Sequence, residues 1–109
     1  KMLNINKGNR FISLVSMSSK SRGLHDYAVR ELGSEHSEYD TEFAQGDITT
    51  TMIKCAHGET VMLIHDCSLP RPYSRAQRVQ GTRGIWMEDK NALHFDDFPE
   101  NIVGFRCTL

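Results

Sequence analysis

Two stretches decide the fold: Ile48-Thr49-Thr50-Thr51-Met52-Ile53-Lys54-Cys55-Ala56 and Glu59-Thr60-Val61-Met62-Leu63-Ile64-His65-Asp66-Cys67, with only His57-Gly58 between them. Both are rich in Thr, Ile, Val and Met, whose side chains suit a pleated, half-buried surface. A two-residue loop ending in glycine suits a tight hairpin. With His57 and Gly58 as the whole turn, Ile53 is expected opposite Met62, Met52 opposite Leu63, Thr51 opposite Ile64 and Thr50 opposite His65. That register sets apolar against apolar through the middle of the ladder.

Upstream, Arg10-Phe11-Ile12-Ser13-Leu14-Val15-Ser16-Met17 alternates so that both faces of a strand carry apolar groups, and cover is expected on each side. The polar turn Ser18-Ser19-Lys20-Ser21-Arg22 follows, with Ser21 as the predicted helix N-cap. Leu24, Tyr27, Ala28 and Leu32 then recur at helical spacing, Asp26 lies near the favourable end of the dipole, and Gly33 terminates the element. Residues 34–42, with Glu35, Glu38, Asp40 and Glu42 in quick succession, predict an exposed loop.

Downstream, Pro70 and Pro72 must leave the ladder, because proline donates no hydrogen bond and restricts its predecessor. Arg71 is thereby held extended. Residues 76–80 resume an extended pattern, and Gly84-Ile85-Trp86-Met87 with Leu93-His94-Phe95 bracket a turn at Glu88-Asp89-Lys90-Asn91. The expected class is α+β: a mostly antiparallel open sheet of five or six strands with one or two helices, forming a single domain over residues 1–109.

A chain of 109 residues has room for one core of modest stability. With 25% charged residues and a net charge of −1, it has the composition of a globular protein and no basic stripe to follow a phosphate backbone, so nucleic acid is not an expected partner. Apolar runs such as Val61-Met62-Leu63-Ile64 fall far short of the roughly 20 residues that span a bilayer. Lys1-Met2-Leu3-Asn4 has neither the charged nor the apolar region of a signal peptide. Cys55, Cys67 and Cys107 are odd in number, and the first two flank the hairpin too far apart for a bridge. All three are expected as free thiols, which assign no compartment.

Several kinds of chemistry are not expected. The glycines, at 8, 23, 33, 46, 58, 81, 84 and 104, never fall two apart, so a G-x-G-x-x-G dinucleotide cradle is missing. His25, His36, His57, His65 and His94 lack metal-ligand spacing, and no metal is expected. Trp86 is expected as a core or interface aromatic rather than a sugar platform. What stands out is the run from His65 to Arg75. His65, Asp66, Arg71, Tyr73 and Arg75 leave a strand on a proline-framed loop, which presents polar groups to a ligand at little ordering cost. A purely structural loop, its arginines paired with nearby acids, is the competing reading.

The run His65-Asp66-Cys67-Ser68-Leu69-Pro70-Arg71-Pro72-Tyr73-Ser74-Arg75, followed by Gln80-Gly81-Thr82-Arg83-Gly84, closely resembles glycoside hydrolase family 109, the NAD-dependent α-N-acetylgalactosaminidases. Leu3-Asn4-Ile5-Asn6-Lys7-Gly8-Asn9-Arg10-Phe11, Leu14-Val15-Ser16-Met17-Ser18-Ser19, Gly23-Leu24-His25-Asp26-Tyr27-Ala28-Val29 and Gly46-Asp47-Ile48-Thr49-Thr50-Thr51-Met52-Ile53-Lys54 are similar to the same family, in order, up to about Phe95. Residues 101–109 depart from it. The resemblance implies the C-terminal domain of a Gfo/Idh/MocA-like protein whose N-terminal Rossmann half lies outside this chain, as does a substrate-contacting tyrosine and histidine segment, with a candidate catalytic histidine, just upstream of the position matching Leu3.

It further implies a glycosidase that departs from the usual pair of carboxylates. NAD held by the longer protein oxidises the sugar 3-hydroxyl, loss of the C2 proton and elimination expel the aglycone, and water addition with hydride return completes a redox-neutral cycle. On this reading Tyr73 matches a substrate-contacting tyrosine, and Arg71, Arg75, His65 and Asp66 match the motif around it. The chain itself is expected to hold no cofactor and to be inactive alone, with terminal α-linked N-acetylgalactosamine glycans as substrate and a homo-oligomer built through the sheet. Two other readings stay open: the C-terminal domain of an NAD(P)-dependent sugar or inositol dehydrogenase, and a non-catalytic association module.

Overall fold

The structure, a computed structural model, describes residues 2–66, 68–97 and 102–103. The ladder expected around His57-Gly58 is present, but its register differs by one residue. Strand β2 (Ile48–Cys55) runs antiparallel to β3 (Thr60–Asp66), with Ile53 opposite Val61, Met52 opposite Met62, Thr51 opposite Leu63, Thr50 opposite Ile64 and Thr49 opposite His65. The loop holds three residues rather than two. Cys55 N–H donates to the Glu59 carbonyl at 2.8 Å, Gly58 N–H donates to the Cys55 carbonyl at 3.0 Å, and Gly58 takes φ +98°.

The physical reason lies at His57. A two-residue hairpin turn needs a positive φ at its first central residue, which would have been His57. The three-residue loop moves the left-handed position onto Gly58, where no Cβ opposes it. Because side chains alternate along a strand, this single step exchanges the faces of β3 relative to β2.

Strand β1 (Phe11–Ser18) pairs with the other edge of β2, giving the order β1-β2-β3, with Leu14 opposite Ile53 and Val15 opposite Met52. The register shifts between Phe11 and Ser13, so Ile12 is the extra residue of a bulge. Ile53 and Cys55, on the central strand, are buried. Among the described residues, cover on both sides of β1 is not found: Val15 is 71% and Met17 79% exposed. Cys55 is a free thiol, whereas Cys67 and Cys107 lie outside the described residues.

Between β1 and β2 the expected helix forms as one α-helical turn, α1 (Gly23–Tyr27), which widens into a π-helical turn over Ala28–Leu32 and stops at Gly33. Ala28 is its buried residue, and residues 34–42 are mostly exposed, as their acidity implied. Ser21 does not cap this helix. The Asp47 carboxylate, more than twenty residues downstream, accepts from Arg22 N–H at 3.0 Å and Gly23 N–H at 2.9 Å. No short-range pattern signals such a cap.

Chain contacts divide the molecule into residues Lys1–Pro70 and Arg71–Leu109. The second unit is an antiparallel sheet of β4 (Arg78–Gln80), β5 (Gly84–Met87), β6 (Ala92–Phe95) and β7 (Ile102–Val103), in that order. Its β5–β6 turn spans the four residues 88–91, where it was expected, with Asn91 at φ 44°. Trp86 sits between Val79 and Leu93 in the ladder, half-buried.

One buried polar group ties the first unit together. Asn9 is 3% exposed, and its amide nitrogen donates to the Leu3 carbonyl at 2.9 Å and to Glu59 Oε2 at 3.0 Å. Its amide oxygen accepts from Arg10 N–H at 2.9 Å and His57 N–H at 3.2 Å. The Glu59 carboxyl is held below its ordinary value of 4.5, first by its own backbone N–H, then by the Asn9 amide, with a smaller contribution from the charge of His57. A depressed carboxyl stabilises the fold fully above its unfolded pKa, and that contribution disappears as pH falls through the lower folded value. Thermal melts from pH 6 downward should therefore lose stability just below pH 4.5, and Glu59→Gln should flatten that part of the profile.

Candidate functional site

Three chain segments meet at one end of the first sheet: residues 18–19 leaving β1, residues 46–47 entering β2, and His65-Asp66 closing β3. Ser19 N–H donates to the Ile48 carbonyl at 2.9 Å, and Ile48 N–H returns a bond to Ser19 Oγ at 3.0 Å. Gly46 lies so close to Ser18 Oγ and the Ser19 carbonyl that a Cβ there would collide with both. The start of α1 is held at the same end by Asp47. A Cβ on Gly23 would lie 2.8 Å from Leu69 Cδ2 and 3.2 Å from the Ser68 carbonyl, so the segment after β3 runs against the helix start.

His65 is exposed at this rim and Asp66 is half-buried. Asp66 Oδ1 accepts from Leu69 N–H at 3.4 Å, a long bond that begins to turn the chain out of the ladder. The carboxylate thus has a part in shaping the loop. Both residues belong to the first unit, whereas Arg71, Tyr73 and Arg75 belong to the second. The five expected site residues are therefore distributed over two bodies.

Within the second unit the loop is anchored on the β5–β6 turn. Ser74 Oγ donates to Asp89 Oδ1 at 2.7 Å and accepts from Ala76 N–H at 2.9 Å. Gln77 N–H donates to Glu88 Oε2 at 3.2 Å, and Glu88 N–H donates to the Gln77 carbonyl at 2.9 Å. Ala76 adopts φ 48°, a left-handed conformation that costs a non-glycine residue of order 1 kcal/mol and persists here between these anchors. Ser74, Glu88 and Asp89 were not recognisable as loop supports from the sequence. Asp89 is 15 residues from Ser74, and nothing in a polar turn announces a distant partner.

Arg71 folds back on the same loop, its Nη1 donating to the Ser74 carbonyl at 3.1 Å. Tyr73 is 84% exposed, and its hydroxyl oxygen accepts from Arg75 Nε at 3.1 Å. That bond raises the pKa of Arg75 above its ordinary value, with further contributions from the charges of Tyr73 and Glu88. The structure thus brings Tyr73 and Arg75 together and turns Arg71 toward the backbone. Among the described residues no three His, Cys, Asp or Glu side chains are grouped to hold a metal, and no helix is long and apolar enough to cross a membrane.

Fold and loop together define a sheet-built domain that presents polar side chains on a proline-framed segment. The chain belongs to glycosyl hydrolase family 109: the model described as Glycosyl hydrolase 109, C-terminal domain, matches residues 1–102. It is 54% identical over 94 residues to an alpha-N-acetylgalactosaminidase of Tannerella forsythia, covering 86% of this chain and 20% of that one. Glycosyl hydrolase family 109 proteins of Parabacteroides distasonis and Stenotrophomonas maltophilia are 51% and 47% identical, each over 84% of this chain and 20% of theirs. The chain spans about a fifth of the length of these curated relatives.

The end of the sheet depends on Asp47 most directly. Asp47→Ala removes both acceptors of the helix start, and a loss of about 1–2 kcal/mol is expected. Urea denaturation followed by far-UV circular dichroism measures it, and an unchanged midpoint would remove Asp47 from this role.

Proposed function

We propose that this domain forms one wall of the sugar site of an NAD-dependent α-N-acetylgalactosaminidase, with Tyr73 as its substrate-contacting residue. The observation that carries this reading is the polarity of the Tyr73–Arg75 bond. A guanidinium nitrogen only donates, so the phenol oxygen is the acceptor and its own hydrogen points to another partner. An exposed phenol oriented in this way donates to a sugar hydroxyl or to an acetamido carbonyl. The Tannerella forsythia relative, an alpha-N-acetylgalactosaminidase, suggests the sugar. Arg75 is a positioning residue on this reading, Arg71 and Asp66 shape the loop, and His65 stands at the rim of the first unit.

The described residues do not fit a dinucleotide. No two glycines stand two apart, and no strand runs through a glycine-rich turn into a helix. NAD therefore falls to the longer protein, and the role of these residues is to bind and orient the sugar. The full-length protein should release N-acetylgalactosamine from an α-linked chromogenic substrate, and Tyr73→Phe should lower kcat/KM about tenfold, the loss of one hydrogen bond. Failure of the unaltered protein to release the sugar overturns the assignment.

A second reading, homo-oligomerisation through the sheet, is favoured by one face of the first unit. Val15, Met17, Met52, Met62 and Ile64 share that face, each between 48% and 79% exposed. A contiguous apolar surface of a few hundred Å² marks an interaction site rather than scattered exposure. None of these five positions is charged, which leaves an apolar patch on which a second copy of the chain can pack. Met52→Glu should dissociate the assembly in sedimentation velocity, and a protein already monomeric at micromolar concentration would exclude it.

A further inference from the structure

A cleft of about 790 Å³ opens in the first unit between residues 19–22 with the start of the helix on one side and residues 41–44 on the other. Lys20, Arg22 and His25 line it. None of these three side chains has a hydrogen-bond or ion-pair partner among the described residues. The carboxylates nearby are mostly committed elsewhere. Asp26 is ion-paired with Arg30 at 2.8 Å, and both oxygens of Asp47 accept from backbone N–H groups. Glu42 is the remaining carboxylate of the lining. Lys20 and Arg22 thus face a cavity whose acids are Glu42 and the Arg30-paired Asp26, and the one surplus positive charge favours an anionic ligand.

The rest of the lining describes the body of that ligand. Phe43 and Val29 supply apolar surface of the kind on which the carbon face of a pyranose ring rests. Glu42 is an acceptor for ring hydroxyls. Val29 projects from the π-helical turn, a local widening found frequently at functional sites.

We propose that this cleft binds an acidic sugar, a pyranose carrying a carboxylate or a sulfate ester. The sugar class rests on the carbohydrate reading above, whereas the charge rests on Lys20 and Arg22 alone. Calorimetric titration of the full-length protein with galacturonic acid and with galactose 6-sulfate, against neutral galactose, tests it. The charged sugars should bind at least tenfold more tightly than galactose. Lys20→Gln combined with Arg22→Gln should erase that difference, Lys7→Gln should leave it intact, and so should Tyr73→Phe. Both substituted positions are exposed, so the double variant should keep its fold. Independently of any variant, raising the salt from about 0.05 M to about 0.5 M should weaken binding of the charged sugars and leave galactose unaffected.

Equal affinity for charged and neutral sugars overturns the proposal, as does a preference that survives the double substitution. Sodium sulfate competing as well as galactose 6-sulfate would show an anion site without sugar recognition, and would overturn it too. Release of N-acetylgalactosamine is read separately. Sugar release without charged-sugar binding removes the cleft and keeps the hydrolase, and the converse removes the hydrolase and keeps the cleft.

Discussion

A single buried amide governs the first unit. Asn9 makes four hydrogen bonds that reach back to Leu3 and forward to His57 and Glu59, so the N-terminal loop and the β2–β3 turn are held from one point. A buried amide satisfied on every side tolerates no alternative arrangement, because each lost partner leaves a polar group stranded at a cost of about 1–3 kcal/mol. The turn it holds is the three-residue loop with Gly58 in the left-handed position. That loop fixes the register, and the register places Ile53 inward while Met52, Met62 and Val15 share the opposite face. An amide in a loop thus settles which side chains of β2 and β3 share a face.

The loop around Tyr73 is supported in a comparable way, by groups that never touch a ligand. Ser74 and Gln77 are bonded to Asp89 and Glu88 on a turn more than ten residues away, and Ala76 is kept in a conformation it would not adopt freely. Pro70 and Pro72 reduce the freedom of the unfolded segment, and the turn restrains what freedom is left. The outcome is an exposed phenol with one side of its oxygen already occupied. Orientation set before a ligand arrives lowers the ordering cost of binding.

Much of this was legible from local pattern. The alternation in β1, the apolar runs of β2 and β3, the stop at Gly33 and the turn at residues 88–91 all follow from nearest-neighbour chemistry, as does the α+β class. The loop that resembles a family motif led to the family that the comparison found. Three features were not legible, for one shared reason. The cap from Asp47, the clamp at Asn9 and the support from Asp89 each join residues 15 or more positions apart, and polar residues in loops look alike until their partners are known. The register error had a different origin. His57-Gly58 has the length of a two-residue turn but not its chemistry, since histidine would have to take the positive φ that glycine takes instead.

Trp86 lies in the second unit, and it is the only tryptophan in the chain. Its emission therefore reports the surroundings of the β4–β7 sheet. Cys55, shut inside the central strand of the other half, complements it, because alkylation of its sulfur requires that sheet to part. Fluorescence and alkylation located at Cys55 thus report on groups in different units, and any difference between their transitions measures how far the two melt as one.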